Sequence, residues 1–209
     1  MKNNTIANFV KMAHQLARKI LKNHSSQFSK HTFTQPQLLP LNLLRLKLRL
    51  TYRDFTALLQ LMPDIRRILN LKRIPHFTTL QKAFARLKTH IFHLLLALTV
   101  KLLPLSGVCG IDASGYCRFY ASHHYTQRKR LKISSIKTTI PVGLKTLRVV
   151  DVHMTTTRRH DTKIAPRILD RNRTRLRTVV ADKGYDDNNL RTMLRAMGME
   201  PLIRRRKFG

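Results

Sequence analysis

Val179-Val180-Ala181-Asp182-Lys183-Gly184-Tyr185-Asp186-Asp187 is the stretch whose reading decides the fold. Its apolar start predicts a short buried strand that ends on a carboxylate and turns at Gly184. The polar run from Asp186 to Asn189 then opens a helix carrying Leu190, Met193, Leu194 and Met197 on one face. Upstream, Val108-Cys109-Gly110-Ile111-Asp112-Ala113-Ser114-Gly115-Tyr116 repeats the pattern, an apolar run delivering an aspartate into a glycine-containing turn. A carboxylate at the end of a buried strand can be held rigidly beside another on a neighbouring strand. On a basic protein, two such aspartates suggest a metal-dependent phosphoryl-transfer site acting on nucleic acid.

The charge balance narrows the partners. Lys and Arg number 41 against 10 Asp and Glu, a formal net charge of +31. Self-repulsion on that scale is relieved by a polyanion, with nucleic acid ahead of an anionic membrane surface. Hydrophobic residues make up 43%, enough for a real core, which argues against wholesale disorder. The longest apolar run, Ile91 to Leu105, is broken by His93, Lys101 and Pro104 and is too short and polar to span a bilayer. No secretory signal is read at the N-terminus, and the expected setting is the cytoplasm. Cys109 and Cys117 bracket Asp112 without metal-ligand spacing, and two cysteines exclude a disulfide framework, so buried thiols are expected.

Residues 1–104 read as a helical region. Ile6, Phe9, Val10, Ala13, Leu16, Ala17, Ile20 and Leu21 recur at helical spacing. His31 to Pro40 reads as a punctuated connector, and Leu41 to Leu50 as a helix in competition with a strand. Thr51 caps a helix that Pro63 stops, and Asp64 to Leu71 is another. Thr78 and Thr79 are placed to cap a longer helix through Phe84, Leu87 and Ile91. Such a series is either a helix-turn-helix reader of DNA or a packing or dimerisation domain with a basic face.

The period drops toward two beyond Pro104-Leu105-Ser106-Gly107, which marks 105–209 as a second domain. Strands are expected at Gly107 to Ile111, with Cys117 to Tyr120 continuing a hairpin, and then at Leu131 to Pro141 and Leu147 to Met154. A helix follows at Asp161 to Leu169, with Thr155, Thr156, Thr157 or Asp161 near its start. The strand and helix of the opening stretch, a turn at Gly198 and a last strand at Pro201 to Ile203 complete an α/β order.

With ten acidic residues, the search for metal ligands is nearly exhaustive. Asp54, Asp64, Asp170, Asp186 and Asp187 sit where capping or solvation is the ordinary explanation. Asp151 alternates with valines and faces either the same edge or solvent; His160-Asp161 precedes a helix. Asp112 and Asp182 stand out, although a structural turn or a salt bridge with nearby lysines accounts for the same pattern.

Gly110-Ile111-Asp112-Ala113-Ser114-Gly115, His160-Asp161-Thr162, and above all Ala181-Asp182-Lys183-Gly184-Tyr185-Asp186 followed by Gly198-Met199-Glu200-Pro201 resemble DDE transposases of bacterial and archaeal insertion sequences. Tyr52-Arg53-Asp54-Phe55 and Pro75-His76-Phe77-Thr78-Thr79-Leu80 look like the helical N-terminal region of the same group. The resemblance implies a ribonuclease H-like mixed sheet with flanking helices. Its first two catalytic and metal-binding aspartates would be Asp112 and Asp182, with Mg2+ or Mn2+ as cofactor. Donor-end cleavage and strand transfer follow, on element ends and target DNA, by a nucleoid-associated protein that forms homo-oligomers. Arg128, Lys129, Arg130, Lys183, Arg204, Arg205, Arg206 and Lys207 are the expected DNA-binding cations. The third catalytic residue of that family is a glutamate on a helix well beyond the last strand. The single glutamate here, Glu200, matches the Gly-x-Glu-Pro turn instead. A catalytic domain incomplete at its C-terminus, with impaired chemistry, is therefore expected. The alternative is a non-catalytic basic DNA- or RNA-binding protein.

Overall fold

The computed structural model describes residues 5–28, 30–102, 106–117 (backbone only at 117), 135–157 and 159–205. The chain divides into two units, Met1–Leu95 and Leu96–Gly209.

The first unit is helical. α1 (Thr5–Ile20) buries Val10, Ala13, Leu16 and Ala17, the stripe expected from its periodicity. α2 (Gln35–Lys47) begins inside the stretch read as a connector, because Thr34 and Gln37 form a capping box. The Gln37 N–H donates to Thr34 Oγ1 (3.3 Å), and the Thr34 N–H donates to Gln37 Oε1 (2.8 Å). Pro36 sits in the first turn, where no N–H is needed, and Pro40 is accommodated within the helix among buried Leu38, Leu39 and Leu41. α3 (Tyr52–Gln60) is capped by Thr51 as expected, but Pro63 starts α4 (Pro63–Ile68) rather than simply ending its predecessor. Leu41, Leu44, Phe55, Leu59, Leu69 and Leu80 form the core of this unit.

The long helix expected from Thr78 onward is two, α5 (Phe77–Ala85) and α6 (Thr89–Val100). Arg86, Lys88, Thr89 and His90 are all exposed, so no apolar stripe continues across the break to hold one straight helix. His76, not a threonine, occupies the N-cap of α5, its Nδ1 lying 2.8 Å from Thr78 Oγ1. Among the described residues, no single helix is long and apolar enough to cross a membrane.

The second unit contains a six-stranded mixed sheet: β1 (Val108–Cys117), β2 (Ser135–Gly143), β3 (Arg148–Val149), β4 (His153–Thr155), β5 (Thr178–Ala181) and β6 (Glu200–Ile203). The order is β3-β2-β1-β5-β6, with β4 also paired to β2. β1 and β2 are antiparallel, whereas β5 runs parallel to β1 and β6 parallel to β5. α7 (Asp161–Asp170) and α8 (Asn188–Ala196) supply the crossovers. This is the ribonuclease H-like arrangement. Cys109 and Ile111 of β1 and Val179 of β5 pack with Ala165, Ile168 and Leu169 of α7 and Leu190 and Leu194 of α8.

Three local expectations change. β1 does not turn at Gly115, which pairs with Lys137; β2 offers β1 a partner along its whole length, and that outweighs glycine's poor strand propensity. The strand expected at Leu147 to Met154 is split into β3 and β4, because the Val150 N–H donates to Pro141 O (2.8 Å) and Asp151 is drawn to Arg171 and Asn172. α7 is capped by His160, whose Nδ1 accepts from the Thr162 N–H (3.4 Å), since Thr155 and Thr157 bond to each other (2.8 Å). Residues 118–120 and 131–134, expected in strands, lie outside the described residues.

Candidate functional site

The parallel pairing of β1 with β5 sets Cys109 against Val179 and Gly110 against Val180. The pairing ends at Gly110 and Val180, and Asp112 and Asp182 each lie two residues beyond it on their own chains. Both also share the parity of Gly110 and Val180, opposite to that of Cys109, Ile111 and Val179, which face the helices. The two aspartates therefore leave the core side and are exposed at one edge of the sheet. Asp112 Oδ1 accepts from the Ala113 N–H at 2.7 Å, and Asp182 Oδ1 accepts from the Gly184 N–H at 2.9 Å. The second contact is a cap: Asp182 stands at the start of a short 3-10 turn, Lys183–Tyr185. An added Cβ at Gly184 would stand 2.9 Å from Asp182 Oδ1, so a larger residue there would displace the capping carboxylate.

The same 3-10 turn sends Tyr185 inward. Its ring is 2% exposed and belongs to the core, and its hydroxyl has no hydrogen-bond partner among the described residues. Burial pushes the phenol well above its ordinary pKa, and the negative charges of Asp161, Asp112 and Asp182 add to the effect. Asp161 is thus the third carboxylate of this neighbourhood. As the first residue of α7 it meets Lys137 of β2, Nζ to Oδ1 at 2.7 Å. Lys137 Nζ also donates to Arg159 O (3.0 Å), which ties the entry of α7 to the sheet. Neither Tyr185 nor Lys137 stood out in the sequence. The tyrosine's signal was its place directly after Gly184, four residues past the end of β5 at Ala181, and the lysine had none.

The other acids are engaged elsewhere. Asp151 Oδ2 pairs with Arg171 (3.0 Å) and accepts from Asn172 Nδ2 (2.8 Å). Asp187 caps α8, and Asp186 takes Arg191 Nη2 (2.7 Å) and Nε (3.1 Å). Arg191 also donates to Ile203 O (2.9 Å), so this buried guanidinium joins α8 to the end of β6.

The cations expected at the site fall into two groups. Ala181 pairs with Ile203, so Arg204 follows β6 at the position where Asp182 follows β5, and the Arg204 N–H reaches Ala181 O (3.4 Å). Arg204, Arg205 and Lys183 are exposed at this edge. Arg128, Lys129, Arg130, Arg206 and Lys207 lie outside the described residues.

Residues 109–207 match the family of transposase DDE domains. No curated protein matches the chain. DDE domains generally use divalent metal ions, and the strand-edge pair suits them chemically. Carboxylate oxygens are the hard donors that magnesium prefers, and each aspartate commits one oxygen to a backbone N–H. The Tyr185 hydroxyl is buried within electrostatic reach of both aspartates and has no hydrogen-bond partner among the described residues. Among the described residues, however, no group of three or more His, Cys, Asp or Glu side chains is gathered as a metal site.

Proposed function

We propose that this chain acts as an insertion-sequence transposase in which Asp112 and Asp182 hold Mg2+ or Mn2+ for phosphoryl transfer at the element's ends. The reading is supported most directly by the parallel pairing of β1 with β5 up to Gly110 and Val180, two residues before each aspartate, within residues that match transposase DDE domains. A bound divalent ion supplies Lewis-acid activation and neutralises charge on the phosphate. Asp112 and Asp182 orient that charge at the sheet edge, while Arg204, Arg205 and Lys183 hold the DNA backbone beside it. Arg128, Lys129, Arg130, Arg206 and Lys207 extend the phosphate contacts. The helical unit serves DNA binding or self-association, and the working form is a homo-oligomer on nucleoid DNA in the cytoplasm. With Asp161 committed to Lys137, turnover is expected to be weak unless a further acid completes a second ion site.

The test is single-turnover nicking of end-labelled DNA carrying the segments that flank the gene, with protein in excess and Mg2+ or Mn2+ present. Nicking that disappears in both Asp112→Asn and Asp182→Asn supports the assignment. Nicking retained in both variants overturns it.

A further inference from the structure

The first unit contains a cavity of about 460 Å³ between the segment after α1 and the α2 and α5 helices. That volume lies in the range of roughly 300–1,000 Å³ typical of small-molecule pockets. Lys30, Arg73, Lys82 and Arg86 line it, and among the described residues no aspartate or glutamate does, so its walls favour an anionic occupant. Phe28, also on the lining, is 87% exposed, a free aromatic face. A second ring, Phe33, has the Arg73 guanidinium 5.8 Å from its centre, leaving cation and ring together at the wall.

Asn42 supplies the third feature. It is 0% exposed and borders the cavity. Its amide nitrogen donates to Leu38 O (3.0 Å) and Leu80 O (3.2 Å), which fixes which way the amide faces. The Oδ1 acceptor is left with no hydrogen-bond partner among the described residues. A buried carbonyl without a donor is costly, so a site that offers one is chemically incomplete.

Anion-seeking walls, a free aromatic face and an unused acceptor are together the complement of a nucleotide. We propose that this cavity binds a nucleotide with an unpaired base. The phosphate lies among Lys30, Arg73, Lys82 and Arg86, the base stacks on Phe28, and a shift of the lining side chains lets a ring or amino N–H reach Asn42 Oδ1, which is sealed from solvent without an occupant. A paired base inside a duplex presents neither its face nor its pairing edge, so double-stranded DNA does not satisfy the site. The nucleotide is either free or part of an unpaired strand. The cavity lies outside residues 109–207, so this inference does not rest on the reading of Asp112 and Asp182.

The chain has no tryptophan, which makes Phe28→Trp a unique reporter in the full-length protein. Its exposure makes the substitution harmless to folding. In moderate salt, adenosine monophosphate and a single-stranded oligodeoxynucleotide should each quench the indole saturably, and ribose 5-phosphate should not. Quenching by the strand at far lower concentration identifies an unpaired strand as the ligand; quenching at similar concentrations identifies the free nucleotide. Phe28→Ala should weaken single-strand binding by about fivefold or more, as loss of one base–aromatic stack does, and leave duplex binding unchanged. The proposal is overturned if neither nucleotide nor strand quenches, if ribose 5-phosphate quenches equally, or if Phe28→Ala weakens both DNA forms alike. A response confined to phosphatidylglycerol vesicles would overturn it in favour of a lipid surface.

Discussion

Asp112→Asn separates a metal-binding pair from a structural one, because the two roles predict opposite signs. Neighbouring strands lie about 4.8 Å apart, so if the β1–β5 register continues two residues past Gly110 and Val180 the two carboxylates stand about 5 Å apart. Two charges at that distance repel by about 0.8 kcal/mol in a water-like dielectric and about 3 kcal/mol at an effective value near 20. Both aspartates are exposed, which favours the lower figure, about 1 kcal/mol. The asparagine keeps an Oδ1 to accept the Ala113 N–H, so little else changes. Without metal, the variant's second unit should be more stable by about 1 kcal/mol, a rise of about 4 °C in Tm. With Mg2+ at ten times its Kd, the parent should gain about 1.4 kcal/mol and the variant almost nothing. Calorimetric melts in EDTA and in MgCl2 at matched ionic strength measure both effects. Destabilisation in EDTA would show that Asp112 anchors a structural ion pair. A full magnesium gain in the variant would place the ion elsewhere.

Other perturbations test the frame around the site. Asp186→Ala strands the Arg191 guanidinium, 9% exposed, and should cost about 3 kcal/mol in urea unfolding; a loss well under 1 kcal/mol would mean that water replaces the carboxylate. Thr34→Ala should cost the first unit about 1 kcal/mol and speed hydrogen exchange at the start of α2, with Thr34→Ser close to the parent. Burial pushes the Cys109 thiol up to about 11 from 9.0 and holds the Tyr185 phenol above its ordinary 10. Both are raised, so their stability contribution is intact below about pH 9 and is lost as pH rises toward and past 11. The alkaline loss should shrink in Cys109→Ala relative to its own value at neutral pH. DNA affinity should fall linearly in log–log salt titrations, and Arg204→Ala with Arg205→Ala should lower the slope by about 2; an unchanged slope would remove both from the phosphate contacts.

The helices and strands that read clearly are those whose burial follows a simple period. The apolar stripe of α1 and the Val179–Ala181 strand with its terminal aspartate are visible because each buries one face against one core. The misread pieces depend on partners far away in sequence. The start of α2 was hidden by Pro36 and Pro40, although Thr34 and Gln37 stood at capping-box spacing. Gly115 looked like a turn because nothing nearby announces that β2 will pair along the whole of β1. His160 took the cap expected of Asp161 because the carboxylate had a better use across the sheet, at Lys137.

By itself the sequence determined the charge, the helical-then-α/β order and the two aspartates delivered by apolar runs, because composition, period and residue type are local properties. Only the tertiary structure decided that β1 pairs with β5 just before Asp112 and Asp182, that Arg204 follows β6 beside the end of β5, that Tyr185 buries a hydroxyl within electrostatic reach of three carboxylates, and that Asn42 leaves a buried acceptor unpaired beside a basic cavity. Those facts rest on register and on long-range packing. A strand's side chains alternate whatever its neighbour is, but which residue stands opposite which is set only when the strands meet.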